Sequence, residues 1–400
     1  MSFISKYCII LVLLPAVYTG FFPGKIVIIQ TICFYLFTFF YWRKKNKWKT
    51  YEFDCKNIYK LLIIWSTITY FRGFFNIDSS QDWANLCSGL FFTCFLFPTI
   101  LYFPNVSSLR IIIISFFKFG LPLCIITAVF PPSDGFMSFQ HNIYFVLPLV
   151  FCFTALPYKY KIILVISLLS IVLYNIDRRS CVLNVAIVIA IYLFYTVIHN
   201  RFLRLSLNCF FIISPIILLI LALTIQFNIF SEISNYRTLQ ITDSSRSLTT
   251  DSRTDIYLDV YEELKDKNAF LFGLGGNGKT RTSLIYNQNQ DYSIIYKNGR
   301  GRTESGMLNN IQYGGITGLL IFSILFIMAS FKATANSNND FMRMLGAYIA
   351  FKYFNSFIEE SVNPQGCSFY LYLWIGMCYN KHLRLMNNNM MNLYLTKIFK

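Results

Sequence analysis

A chain of 400 residues that is 55% hydrophobic and 18% aromatic but only 14% charged is too poor in charge for a soluble protein of its length, in which about a quarter of residues are charged. Its 42 Phe and 27 Tyr exclude a disordered chain, which leaves a polytopic membrane protein whose apolar surface faces lipid. The formal charge of +16 would suit a nucleic-acid binder only if it were gathered on one polar segment, and it is not.

Apolar runs of membrane-span length lie at about 7–22, 25–42, 57–75, 83–103, 110–130, 142–157, 161–176, 180–198, 207–228, 307–331, 341–358 and 366–380. The expected fold class is all-α: an integral membrane protein of about 12 transmembrane helices with one large outer loop containing short helices. Residues 1–228 carry helices 1–9, residues 229–306 the loop, and residues 307–400 helices 10–12 and a tail. Lys6, the apolar Cys8–Leu14 and the small residues near Thr19 and Gly20 fit a signal peptide, but a second apolar segment follows at once and favours an uncleaved anchor.

Orientation follows from lysine and arginine in the short connections. With the N-terminus cytoplasmic, one side receives Arg43, Lys44, Lys45, Lys47, Lys49, Arg110, Lys159, Lys161, Arg201, Arg204, Lys332, Arg343 and the tail with Lys381, Arg384, Lys397 and Lys400. The other side receives Lys25, Arg72, Arg178 and Arg179. Both termini are therefore expected inside and the 229–306 loop outside the cytoplasm. That loop has ten Lys and Arg against ten Asp and Glu, so the positive excess is an orientation signal and no nucleic-acid partner is expected.

The 11 cysteines contain no CxxC pair and lie mostly in apolar runs, and His141, His199 and His382 are far apart. The cysteines read as small core residues, and neither a metal site nor a cofactor is expected.

Within the loop, Asp251–Lys267 alternates charge with Ile256, Leu258, Val260, Tyr261 and Leu264, the pattern of an amphipathic helix that lies along the membrane face or caps the bundle. Its flanks, Ser231–Thr250 and Gly275–Gly301, are rich in Ser, Thr, Asn and Gly and read as mobile segments that close over a substrate. Gly273–Thr280, GLGGNGKT, matches the phosphate-binding pattern GxxxxGK[ST]. A phosphate loop needs a strand before it, a helix after it and a parallel sheet to hold both, which fewer than 80 residues between membrane helices do not supply. A tight glycine turn after Phe270–Phe272 is the preferred reading.

Ionisable residues at the ends of membrane helices raise a functional hypothesis. Arg72 ends the third span; Arg178 and Arg179 occupy the short turn before the eighth; Arg253 opens the amphipathic stretch; Arg302 and Glu304 precede the tenth span. Arginine suits a diphosphate because its planar fork binds phosphate oxygens bidentately. The plainer alternatives are headgroup contact for Arg72, pairing with Asp255 or Asp259 for Arg253, and a favourable helix-dipole position for Glu304. At 100° per residue, Glu304, Leu308, Ile311, Gly315 and Gly318 share one face, and the glycines would let it approach a neighbouring helix. A carboxylate held there is a candidate general base. His141, in an outer turn, is a substrate contact or an interface histidine.

Three blocks, DRRSCVLN at 177–184, SRTDIYLDVYEELKDKNAFLFGLG at 252–275 and ESGMLNNIQYGGITG at 304–318, together with the span count and the late outer loop, resemble the O-antigen polymerase (Wzy) and O-antigen ligase group of membrane glycosyltransferases. The resemblance implies that Arg179 and Arg253 hold the diphosphate of a polyprenyl-linked donor; Arg178, Arg72, Arg302 and His141, on residue grounds, are candidate further substrate contacts. Ligases of this group place a histidine where Glu304 stands, followed by Asn, Ser or Gln, here Ser305, and then a GxxG pair, here Gly315 and Gly318. No histidine occurs in 229–306, which resembles the polymerases, while Tyr257 stands where a tryptophan is usual.

The function so implied is polymerisation of undecaprenyl-diphosphate-linked repeat units at the periplasmic face of the bacterial inner membrane during lipopolysaccharide biosynthesis. Glu304, Arg253 and Arg179 would be catalytic, lipid-linked glycans both donor and acceptor, the bilayer the solvent, and a chain-length regulator a further partner. The alternatives are an O-antigen ligase and, in another class, a flippase, which usually shows internal repeats that are not seen here.

Overall fold

The computed structural model describes residues 56–86, 114, 117, 147–174, 179–225, 252–280, 299, 301, 303, 305–359 and 368–399. Among these the regular elements are helices, with no β-strand, in agreement with an all-α chain. Helix α1 (Lys56–Arg72) passes through a 3-10 turn, Gly73–Asn76, to the short α2 (Ser80–Asn85). A 3-10 segment, Leu147–Ala155, precedes α3 (Tyr158–Tyr174), α4 (Arg179–Val197) and α5 (Arg201–Ile225). Helix α6 (Ser252–Asp266) lies in the hydrophilic loop. Then follow α7 (Gly306–Ala335), α8 (Asp340–Asn355), α9 (Ser368–Tyr379), α10 (Lys381–Leu385) and α11 (Asn388–Phe399).

Seven apolar runs thus appear as helices near their expected bounds, and α6 matches the amphipathic stretch. Two regions differ. The run 142–157 holds a 3-10 helix instead of an α-helix, and Pro157, which cannot continue a helix, follows its end. The tail, expected only as a basic segment, folds into α10 and α11 because Leu383, Met391, Leu395 and Ile398 bury themselves against the bundle. The runs at 7–22 and 25–42, and nearly all of 83–103 and 110–130, lie outside the described residues.

Helix α7 is the axis of the assembly and packs against α8, α1, α9 and α5. It is the one described helix long and apolar enough to cross a membrane, with 30 residues and a mean hydropathy of 2.1 over an 18-residue stretch; α4 contributes a shorter apolar stretch, Val182–Val197. Around it Phe326, Tyr348, Phe351, Tyr372 and Trp374 are buried. Hydrogen bonds pin the helices where apolar contact alone would let them slide: Asn208 Nδ2 donates to Ser330 Oγ and Thr334 Oγ1 (2.9 and 2.6 Å), and Tyr379 Oη to the Leu325 carbonyl (2.6 Å). Cys152 and Cys378 are buried thiols in this core. The outer surfaces are apolar as well. Leu61, Ile64, Ile68 and Phe71 on α1 and Ile162, Val165, Ile166, Leu169 and Leu173 on α3 are exposed at helical spacing, as stripes that water wets poorly.

Residues assigned by sequence to opposite sides are found at opposite ends of the bundle. At one end Arg204 bridges to Asp340 (2.9 Å), Arg343 to the same carboxylate (3.3 Å), and Arg201 reaches the Ala335 carbonyl (3.0 Å). At the other end Arg72 meets the loop residues Phe272 and Gly273.

Candidate functional site

The first turn of α7 is held by its neighbours. Ser305 caps it, its Oγ accepting from the Leu308 N–H (3.3 Å) and donating to the Ser356 carbonyl (3.1 Å). The N–H groups of Gly306 and Met307 donate to the carbonyls of Glu359 and Ser356, each at 3.0 Å. Thr303 is buried, and its N–H and hydroxyl both donate to Asn309 Oδ1 (2.7 and 2.8 Å) while Asn309 Nδ2 returns a bond to its carbonyl (3.0 Å). Both chain neighbours of Glu304, Thr303 and Ser305, are therefore fixed; Glu304 and Arg302 themselves lie outside the described residues, as do Arg178 and His141.

Helix α6 caps this turn. Its apolar face, Ile256, Val260 and Leu264, forms a small buried cluster with Leu308, against which Ile311, Phe270 and Leu274 pack. Tyr257 leaves that face to donate its hydroxyl to the Phe357 carbonyl, with Ser305 Oγ 3.2 Å away. Arg253 is the second residue of α6, one turn before Tyr257, so the segments carrying Arg253 and Glu304 meet at the Tyr257–Ser305 contact.

The expected continuous face from Leu308 through Gly318 is interrupted. Helix α7 breaks at Gly315 (φ 65°, ψ −164°), and the glycine turn at 273–278 inserts its backbone there. Leu274 and Gly275 N–H donate to the carbonyls of Gln312 and Tyr313 (2.7 and 3.0 Å), and Ile316 and Thr317 N–H donate to those of Phe270 and Leu271 (2.8 and 3.3 Å). A Cβ on Gly315 would lie 2.5 Å from Gly273 N and from Leu271 C and O, so only glycine permits the contact. Gly318 does face a helix: its position for a Cβ is 3.0 Å from Trp65 Nε1 of α1.

The turn's own contacts agree with a tight glycine turn. The N–H groups of Gly273, Leu274, Gly275, Gly276 and Gly278 all donate to protein carbonyls, so five of the donors in this stretch are committed within the protein. Contrary to the expectation of a mobile flank from Gly275, residues 275–280 are clamped. Asn76 Nδ2 donates to the carbonyls of Leu274 and Gly276 (2.9 Å each), Gln312 Nε2 to that of Gly278 (2.7 Å), and Asn277 Nδ2 to that of Asp82 (2.8 Å). Lys279 pairs with Asp82 at 3.0 Å. Burial acts to raise the Asp82 carboxyl, but hydrogen bonds from Ser79, the Lys279 ammonium and the Asp78 N–H outweigh it and hold it below its ordinary value of 3.8. Arg72 donates to the carbonyls of Phe272 and Gly273, using two of its N–H groups to brace the loop.

Arg179 is the first residue of α4. Five residues on, Asn184 accepts a hydrogen bond from the Lys352 ammonium of α8, and five residues beyond Lys352 stands Phe357. At 1.5 Å per residue the N-terminus of α4 reaches roughly the height of the Phe357 carbonyl that holds Tyr257. The start of α4 therefore lies at the same end of the bundle as the segments that carry Arg253 and Glu304. The N-termini of α4, α6 and α7 all lie at that end, where helix dipoles favour an anion. The first N–H groups of α7 are taken by the 356 and 359 carbonyls, so they are not open to a ligand. Lys352 was missed by the sequence reading, although a lysine inside the apolar run 341–358 is itself a signal. Among the described residues no cluster of three or more His, Cys, Asp or Glu is placed to hold a metal ion. Compared with protein-family models, curated proteins and solved structures, the chain matches none.

Proposed function

We propose that this protein is an O-antigen polymerase: a membrane glycosyltransferase of about 12 spans, with cytoplasmic termini and its site at the periplasmic face of the inner membrane. It moves the growing glycan from one undecaprenyl diphosphate onto the non-reducing end of a newly arrived lipid-linked repeat unit. The bond between the glycan's anomeric carbon and the diphosphate oxygen breaks, and a bond from that carbon to the acceptor hydroxyl forms. Arg179 and Arg253 stabilise the leaving diphosphate; Glu304 takes the acceptor's proton.

The observation that carries this reading is the Tyr257–Ser305 contact, which joins the helix that begins beside Arg253 to the residue next to Glu304. The contact brings together two of the three sequence blocks that carry the resemblance, on top of the small apolar cluster of Ile256, Val260, Leu264 and Leu308. The sorting of basic residues to the two ends of the bundle supports the orientation, and the outward apolar stripes support the bilayer.

The test is the lipopolysaccharide pattern of a deletion strain. Core bearing a single repeat unit is the expected outcome; core with no O-antigen would instead make it a ligase, and no exported O-antigen at all a flippase. In the complemented strain Glu304→Gln and Arg253→Lys should each lower elongation by about 10²-fold or more while the protein still inserts. Normal elongation in both variants would sink the assignment.

A further inference from the structure

Helix α11 has three flanks of different chemistry. At 100° per residue, Met391, Tyr394, Leu395 and Ile398 share the buried flank, by which α11 packs on the Leu147–Ala155 segment and α8. Asn388, Asn389, Asn392 and Thr396 share a second flank that is polar, its asparagines exposed. Met390 and Leu393 share the third, 51% and 64% exposed, with an exposed Lys397 between them. The three flanks are centred roughly 120° apart. A helix wholly in water gains nothing from the third flank, and one wholly in hydrocarbon would place Asn389 and Asn392 in lipid. The division suits a helix with the bundle on one side, water on the second and lipid on the third. The start of α11 is tied to the Arg204 end, where Asn388 Oδ1 accepts from the Asp340 N–H (2.8 Å) and its Nδ2 donates to the Asp340 carboxylate (3.1 Å). At that end the α4–α5 turn repeats the pairing of apolar bulk with a basic tip, since Val197 and Phe202 are exposed beside Arg201. Residues 381–400 hold Lys381, Arg384, Lys397 and Lys400 and no Asp or Glu, a charge that fits an anionic surface.

We infer that α11 is an interfacial helix: it lies along the membrane boundary at the Arg204 end, and its flank of Met390, Leu393 and Lys397 docks on anionic phospholipid. Met390 and Leu393 enter the acyl boundary, and the Lys397 ammonium, at the end of its apolar stem, meets a headgroup phosphate. The inference rests on the membrane placement in the proposed function and not on the reaction. A lysine at such a surface enriches an anionic lipid about fivefold.

The experiment puts the photo-crosslinking residue benzoylphenylalanine in place of Leu393 or, separately, of Asn392 in the full-length protein. The protein is held in nanodiscs of equal parts phosphatidylcholine and phosphatidylglycerol, and adducts are identified by mass spectrometry. Both positions are exposed, so neither probe disturbs the packed flank. The probe at Leu393 should capture phospholipid, with phosphatidylglycerol favoured about fivefold, and the probe at Asn392 should capture several-fold less. Lys397→Gln should remove the preference for phosphatidylglycerol, and Lys397→Arg should keep it. Adducts at Leu393 with a second copy of the chain, or none with lipid, overturn the docking. Equal lipid capture at Asn392 and Leu393 overturns the orientation, and a phosphatidylglycerol preference that is absent, or unchanged in Lys397→Gln, overturns the part given to charge. A chain that stays in solution without detergent or lipid would remove the membrane placement itself, an outcome separate from an inserted chain whose probe at Leu393 finds no phospholipid.

Discussion

The two ends of the bundle are closed by different chemistry. At the Arg204 end the joints are ionic and side-chain based: one guanidinium, 4% exposed, reaches Asp340 and the carbonyls of Ile198 and Tyr195, with Arg343 on the same carboxylate. At the Arg72 end the joints are mostly backbone to backbone, between a glycine turn and a helix broken to receive it. Side-chain joints tolerate small shifts because long side chains follow their partners. Backbone joints do not, since each fixes two chain segments at once, and that rigidity holds the residues beside Glu304 and Arg253 in register.

The largest effect should come from filling the glycine contact. Gly315→Ala would force a Cβ to 2.5 Å from backbone atoms at a positive φ, at a cost of about 3 kcal/mol or more, visible as a large fall in the unfolding temperature of the purified protein and loss of elongation. Gly318→Ala, opposed by a movable Trp65 side chain at 3.0 Å, should be much milder; equal damage at both positions would erase the distinction between backbone and side-chain joints.

At the other end, Asp340→Asn should cost about 2 kcal/mol, as expected for a charged hydrogen bond partly replaced, yet leave elongation per folded molecule at the wild-type level. A specific loss of elongation there would mean that the two ends are coupled. Tyr257→Phe sharpens the comparison from the other side. Losing its hydroxyl bonds to Phe357 and Ser305 should cost only about 1 kcal/mol but lower elongation about tenfold or more, because small misplacements are amplified in rate. The smallest effect concerns acid. Asp82 is held below its ordinary 3.8, so the stability it contributes is complete above that value and is lost as pH falls beneath it. Lys279→Met should cost under about 1 kcal/mol at neutral pH and flatten that acid slope when unfolding is followed against pH.

Much of this was legible before any coordinates. Helix α6 follows from the spacing of Ile256, Val260 and Leu264, and the bounds of α3, α4, α7, α8 and α9 from apolar runs. The glycine turn at 273–280 could be separated from a phosphate loop because no sheet was available to carry one. The break at Gly315 was not legible: a glycine inside a 30-residue apolar helix reads as a close-packing site, and only the insertion of a distant turn gives it a positive φ. Arg72 read as a headgroup or ligand contact; its bonds to Phe272 and Gly273 brace the loop as well, with a partner 200 residues away that no local pattern announces. Lys352 was legible and overlooked, as a charge inside an apolar run.

The sequence by itself determined the all-α class of the protein and the residue types available for chemistry, because hydropathy and charge act position by position and need no partner. Tertiary structure alone decided which of those residues share a place. The turn that breaks α7, the tyrosine that ties α6 to Ser305 and the lysine beneath Arg179 are contacts between segments far apart in the chain, and backbone donors and acceptors choose such partners only when packing brings them within reach.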